Sequence, residues 1–199
     1  MRYKVIFLLT FVLFFAFFGM NMPGAESAPP NGSPFPDITF SAPEKTSEKE
    51  YLGLSGKDSF KISEIKADVV IVEIFSMYCP YCQKEAPIVN NLYQLISSKP
   101  ELRDKIKIVG IGANNSLYEV NYFKDQYKIQ FPLFPDKSLI IHEKLEKLVN
   151  ETIRTPYFFV IKKNPDGSNK IIYSKVGSIQ SADQFLDMII KETGPKQEV

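Results

Sequence analysis

The sequence has no Trp, one His and two Cys among its 199 residues. Each scarcity excludes a class of chemistry. A structural zinc site built from Cys and His needs four such ligands, and three are present. Two Cys cannot staple a disulfide-rich miniprotein. A mechanism built on a pair of His is excluded, and a Cys–His nucleophile would rest on His142 alone. Charge of one sign is also lacking: 24 Lys and Arg stand against 23 Asp and Glu, for a net charge of +1. That balance gives no clustered basic surface for nucleic acid.

A long hydrophobic run occurs once, at the start. Arg2 and Lys4 precede a nearly unbroken apolar stretch from Val5 to Met20, and a polar, small-residue stretch comes next, from Asn21 to Ala28. This order is that of a secretory signal peptide. Cleavage after Ser27 would leave Ala25 and Ser27, both small, at the −3 and −1 positions. The alternative is an uncleaved anchor, although the run is short of the ~20 residues a span requires. Either reading exports the remainder of the chain, into a compartment that permits disulfides. The run also holds Phe7, Phe11, Phe14, Phe15, Phe17 and Phe18, so the 16 Phe overstate the core.

Four regions are expected: residues 1–27 as the signal peptide or anchor, 28–50 as a linker and edge segment, 51–194 as one folded domain, and 195–199 as a tail. A chain of this length can bury one core without staples. Asp37–Phe40 reads as a short edge strand. Tyr51–Leu54 and Ser59–Ile62, on either side of Gly56–Lys57–Asp58, read as a hairpin. Val69–Phe75 (VVIVEIF) is a strand covered on both faces. Apolar residues at Ala86, Val89, Leu92, Tyr93 and Ile96 then mark a helix from Pro80 to Ser98, interrupted by Pro87. Further strands are expected at Ile106–Ile111, Phe131–Phe134, Tyr157–Lys162 and Ile171–Val176. Helices are expected from Asn115–Ser116 to Tyr127, at Leu139–Val149 and from Ser181 onward. This alternation predicts an α/β sandwich: a mixed central sheet with helices on both faces.

Both Cys lie in one C-x-x-C, Cys79–Pro80–Tyr81–Cys82, between a buried strand and the start of a helix. Pro80 suits the first helical position. A helix N-terminus aims free N–H groups at Cys79 and favours its thiolate. Cys79 is therefore expected as the exposed nucleophile and Cys82 as the buried resolving thiol. An inert disulfide is the plainer alternative, but so short a loop removes little chain entropy; half of a metal site shared with another chain is a second. Glu73 lies six residues before Cys79, and strand alternation puts it on one face with Val69, Ile71 and Phe75. If buried, its pKa is raised and it can exchange a proton with Cys82; at a sheet edge it would simply face water. Thr155–Pro156 precedes a strand, a position where Pro is rarely tolerated in a central sheet.

These residues together resemble thioredoxin-fold proteins, most closely the exported thiol–disulfide oxidoreductases of the TlpA/ResA type, over residues 35–192. Glu73 matches the family's buried acid, Pro87 the kink in its active-site helix, Thr155–Pro156 its Thr–cis-Pro pair, and Phe60–Ile65 its lead-in to the first central strand. The resemblance implies a three-layer thioredoxin-like sandwich with an extra N-terminal hairpin and a central insertion. It implies catalysis by Cys79, Cys82 and Glu73, with Pro80, Tyr81, Tyr78, Thr155 and Pro156 shaping the site and binding substrate. The cofactor is then no more than the redox-active Cys79–Cys82 disulfide, with no metal. Expected partners are protein thiols and disulfides, including those of cytochrome c maturation, and a membrane electron donor of the DsbD or CcdA type. The expected location is the periplasm or the extracytoplasmic face of the membrane, and the expected state is a monomer. Tyr78 stands where the family usually has Trp, and the Pro–Tyr dipeptide departs from the family's usual pairs, so the direction of electron flow stays open, with reduction favoured.

Three other readings use related folds. Only 43 residues separate Gly112 from Pro156, too few for the helical domain of a DsbA-type oxidase. A thiol peroxidase would match Ser76 three before the Cys but wants Pro where Val72 stands. A copper-binding assembly factor of the Sco type would enlist His142, which reads here as a lone surface His on a helix.

Overall fold

The structure, a computed structural model, describes residues 32–194. The apolar run Val5–Met20, the cleavage point and the 195–199 tail lie outside the described residues. Five strands form the main sheet in the order β5–β4–β3–β6–β7: β3 (Val69–Phe75), β4 (Ile106–Ala113), β5 (Leu133–Asp136), β6 (Tyr157–Lys163) and β7 (Asn169–Val176). β4 runs parallel to β3 and to β5, whereas β6 is antiparallel to β3 and β7. The expected mixed sheet is therefore present.

Its hydrophobic strands are explained by layers on both faces. All seven residues of β3 are buried. Val70, Val72 and Ile74 join Phe159, Ile161 and Val109 in one core, while Val69, Ile71 and Phe75 join Phe158, Val160 and Ile108 in the other. The second core is roofed by α2 (Pro80–Ser97), α4 (Leu117–Tyr127) and α6 (Ala182–Thr193), through Ala86, Val89, Leu92, Val120, Phe123, Phe185 and Ile189. The first is covered by α5 (Ile140–Val149) and by the N-terminal segment, whose Phe35, Ile38 and Phe40 are buried. The four-residue α3 (Pro100–Arg103) comes after α2.

The N-terminal hairpin needs correction. An antiparallel pair exists, but it joins β1 (Thr39–Ser41) to β2 (Ser59–Lys61). The expected strand at residues 51–54 is instead the end of α1 (Thr46–Leu52), which stops at Gly53 with a left-handed φ of 71°. Tertiary contacts account for this. Leu52 and Leu54 are both fully buried, and the Tyr51 hydroxyl accepts the Ile108 N–H at 2.8 Å. β5 pairs only with Gly110–Ala113 of β4, so the earlier half of that β4 edge takes its partner from a helix.

Pro87 lies inside α2 without ending it. Its neighbour in the helix, Glu85, is buried along with Ala86 and Val89, so packing on both sides of the proline carries the helix through. The segment between Gly112 and Pro156 holds α4, β5 and α5, as the expected central insertion of two helices and a strand.

Candidate active site

β3 ends at Phe75, and four residues later Cys79 occupies the N-cap of α2, with Pro80 in the first turn. The intervening turn is fixed from two directions. Asn115, fully buried, accepts the Met77 N–H at 2.8 Å, and the Gln83 side chain donates to the Met77 carbonyl at 2.9 Å. The Cys79 amide closes the turn on the Ser76 carbonyl at 3.0 Å.

Both cysteines are free thiols, Cys79 partly exposed and Cys82 buried. The Thr155–Pro156 peptide is cis, and the Cys79 thiol lies 3.2 Å from the Thr155 carbonyl, to which it donates. Pro156 directly precedes β6, and its carbonyl accepts the Gly177 N–H at 2.8 Å. The sequence pair thus faces the C-x-x-C motif across the site.

The two thiols differ sharply in proton affinity. Partial burial pushes the Cys79 thiol up, but hydrogen bonds from the Thr155 side chain, then from the Cys82 amide and thiol and the Tyr81 amide, outweigh it and hold Cys79 below the ordinary thiol value. The two amides are the helix-start part of that effect. Burial, and then the negative potential of Glu73, push Cys82 well above that value. Glu73 itself is 3% exposed, opposite Gly110 on β4 and Phe158 on β6. Burial, with Glu85 nearby, raises its carboxyl to about 8. It therefore sits close to neutrality, where a group can both take and return a proton.

Three site residues are not evident from sequence pattern alone. Glu85 is 1% exposed; it accepts from the Ser178 hydroxyl and from the Ile179 N–H at 2.9 Å. An acid one helical turn after Cys82, on the apolar stripe of Ala86 and Val89, is the signal that points to it. Asn115 looks by position like part of a helix cap, but Ser116 caps α4 and Asn115 turns back to the redox loop. Glu119 accepts from the Tyr78 hydroxyl, a contact that nothing in the local sequence announces.

His142 is half-buried rather than open on the surface: its side chain is 13% exposed and lies 3.3 Å from Glu146. The Asp136 carboxylate accepts the Ile141 and His142 N–H groups at 3.1 and 2.8 Å, capping α5. Among the described residues no three His, Cys, Asp or Glu gather as a metal-holding group, so His142 does not join the cysteines as a copper site would require. A cleft of about 510 Å³ lies between the N-terminal segment and α4, lined by Phe40, Leu117, Lys124 and Phe134. Neither cysteine borders it.

The redoxin family model matches residues 30–187 of the chain. The thiol-disulfide oxidoreductase ResA of Halalkalibacterium halodurans is 29% identical over 83 residues, 41% of this chain and 44% of that protein. ResA of Bacillus thuringiensis is 29% identical over 85 residues, 42% of this chain and 45% of that protein. The match thus spans less than half the length of these relatives. Among solved structures, a thioredoxin-family thiol:disulfide interchange protein of Chlorobium tepidum superposes with a TM-score of 0.59 at 20% identity, covering 82% of this chain and 97% of that one. StoA of Bacillus subtilis gives 0.52 at 20% identity, covering 78% and 99%. Both likenesses are of fold.

Proposed function

The chain belongs to the redoxin family and has a thioredoxin-like fold, and on that premise we propose that it is an exported thiol–disulfide oxidoreductase acting on protein substrates, in the reducing direction. The observation that carries this reading is the asymmetry of one thiol pair. Cys79 is partly exposed at a helix start with its proton held loosely. Cys82 is buried above Glu73 with its proton held tightly.

The Cys79 thiolate attacks one sulfur of a substrate disulfide. A mixed disulfide forms and the other substrate sulfur leaves as a thiolate, which takes up a proton. The ionised Glu73 carboxylate accepts the Cys82 proton. The Cys82 thiolate then attacks the Cys79 sulfur, the Cys79–Cys82 disulfide forms, and the second substrate sulfur departs as a thiolate that takes up a proton. Two electrons pass from the protein pair to the substrate. The reverse sequence oxidises a dithiol. The Thr155 carbonyl beside Cys79 offers an acceptor to the backbone of an extended substrate, and Tyr78, Tyr81, Pro80 and Pro156 form its surroundings.

The sulfurs supply all the redox chemistry this exchange requires, so no metal, haem or flavin enters the reading. Reduced Cys79 and Cys82 must be regenerated after each turnover. Outside the cytoplasm, that role falls to a membrane electron donor of the DsbD or CcdA type. The basic and then apolar order of residues 2–20 supports export, and substrates of cytochrome c maturation fit the resemblance to ResA.

Equilibration of the purified protein against a dithiol buffer tests the direction. A potential near about −270 mV supports a reductant, and one near about −120 mV overturns that part in favour of an oxidant. Insulin reduction tests the nucleophile: full activity in Cys79→Ser would refute the assignment.

A further inference from the structure

Glu119 does more than cap a helix. Its Oε2 accepts the Ser116 N–H at 2.6 Å, completing the capping box of α4. That role occupies one oxygen. The other, Oε1, accepts from the hydroxyl of Tyr78, 41 residues earlier and directly before Cys79. Lys137 lies 3.7 Å from the same carboxylate. The Tyr78 hydroxyl, with the Ser116 amide and hydroxyl, lowers the Glu119 pKa to about 2, so the carboxylate is ionised at any physiological pH.

The residue held in this way is unusual in its setting. Tyr78 is 62% exposed, and an exposed side chain ordinarily keeps its rotamer freedom. Here its far end is tied to a carboxylate that is itself tied to a helix end. Tyr81, at 72% exposed, stands two residues past Cys79, and its amide bonds the Cys79 sulfur. The nucleophile is therefore flanked by two exposed aromatic side chains, of which Tyr78 is anchored. A small disulfide needs little beyond the Cys79 sulfur. A polypeptide brings side chains that must rest against what surrounds that sulfur, and a wall fixed in advance loses no freedom when it is contacted.

We propose that Glu119 is a positioning residue that holds Tyr78 as a fixed wall beside Cys79, and that through this wall the protein favours polypeptide disulfides over small ones. The proposal rests on the disulfide-exchange reading and names the substrate class of that site. Tyr78 is the contacting group, and Glu119 acts through it.

The test compares insulin with glutathione disulfide as substrates of the full chain. In Glu119→Ala, KM for insulin rises roughly three- to tenfold with kcat within about twofold, and the ratio of kcat/KM for insulin to the rate constant for glutathione disulfide falls by the same factor. Glu119→Gln, whose single acceptor oxygen must choose between Ser116 and Tyr78, falls between the two. Ser116→Ala removes the hydroxyl half of the capping box without touching Tyr78, and it keeps the original KM. An unchanged KM in Glu119→Ala overturns the proposal. So does an equal rise in Ser116→Ala, which would make the effect one of helix capping, and so does a parallel loss with both disulfides. If the unaltered chain reduces neither disulfide, the exchange reading fails and takes the proposal with it. If it reduces both and Glu119→Ala matches it, the proposal alone fails.

Discussion

Glu73 is a buried carboxyl at the middle of the main sheet, between β4 and β6. Its carboxyl has an ordinary value of 4.5 and is raised to about 8 by burial, with Glu85 as the next cause. Cys82 and Glu85, both on α2, are the ionisable groups acting on it. The elements beside it contribute Gly110 and Phe158 in register, and α6 presents apolar Ala182, Phe185 and Ile189 to the same core. Below about pH 4.5 the carboxyl is protonated in the folded and unfolded states alike, and its burial carries no ionisation penalty. Between about 4.5 and 8 the unfolded chain releases the proton while the fold retains it, so stability falls as pH rises through this window. A single such group changes stability by about 1.4 kcal/mol per pH unit. Glu73→Gln replaces the carboxyl with a neutral group of similar shape, so urea denaturation across pH 5–8 is expected to show a shallower decline than in the unaltered protein. Cys79 is common to both proteins, and Cys82, held well above the ordinary thiol value chiefly by burial, keeps its proton across this window with or without Glu73. Parallel declines would mean that Glu73 is not the titrating group. The same substitution slows resolution of a mixed disulfide on Cys79, because no carboxylate remains to take the Cys82 proton.

At the scale of elements, the decisive feature is the connection between β3 and α2. A strand end and a helix start define where Cys79 emerges, but a turn separates Phe75 from Cys79, and a turn can drift. Met77 is held at its N–H by Asn115 and at its carbonyl by Gln83. The first contact comes from the inserted segment and the second from α2 itself, so the loop is gripped by two elements that pack on the same core. Asn115→Ala leaves the Met77 N–H without its acceptor in a partly buried turn and empties a fully buried site. The expected loss is about 1–3 kcal/mol in urea unfolding, accompanied by slower reaction of Cys79 with an alkylating reagent. A change below about 0.5 kcal/mol, no more than an ordinary surface substitution, would show that the turn holds itself. Ser116→Ala, in the neighbouring cap, is expected to cost about 1 kcal/mol without altering Cys79, which separates stability of α4 from order in the redox loop.

The whole molecule is one sheet with a core on each face, and the N-terminal segment belongs to one of those cores. Phe60 stacks on Phe40 at 5.4 Å and meets Phe134 of the main sheet at 5.3 Å. Phe40 meets the same Phe134 at 5.4 Å. β1 and β2 therefore share side-chain contacts with β5, and α1 supplies Tyr51 to β4. Phe60→Ala is expected to destabilise the protein by about 3–5 kcal/mol in a single transition followed by both far-UV and near-UV dichroism. Two separate transitions, with the main one unshifted, would identify the N-terminal pair as an appendage.

The parts of this protein governed by local pattern are legible in its residues alone. Strand alternation in VVIVEIF groups Glu73 with Val69, Ile71 and Phe75 on one face, and the position of Cys79–Pro80–Tyr81–Cys82 between a strand and a helix identifies the helix-start thiol. Those readings need only period, chain direction and the geometry of a helix end. The five main strands and the larger helices are legible for the same reason. Contacts between distant segments settle the rest. Residues 51–54 fit a strand by composition, yet they end a helix because Leu52 and Leu54 are buried in the core and Tyr51 completes β4. Asn115 and Glu119 look locally like features of a helix cap, but each uses a further oxygen or nitrogen on the loop before Cys79. Glu85 becomes a partner of Glu73 only where α2 lies across β3. Such pairings arise from the approach of elements far apart in the chain, and no period within either element encodes that approach.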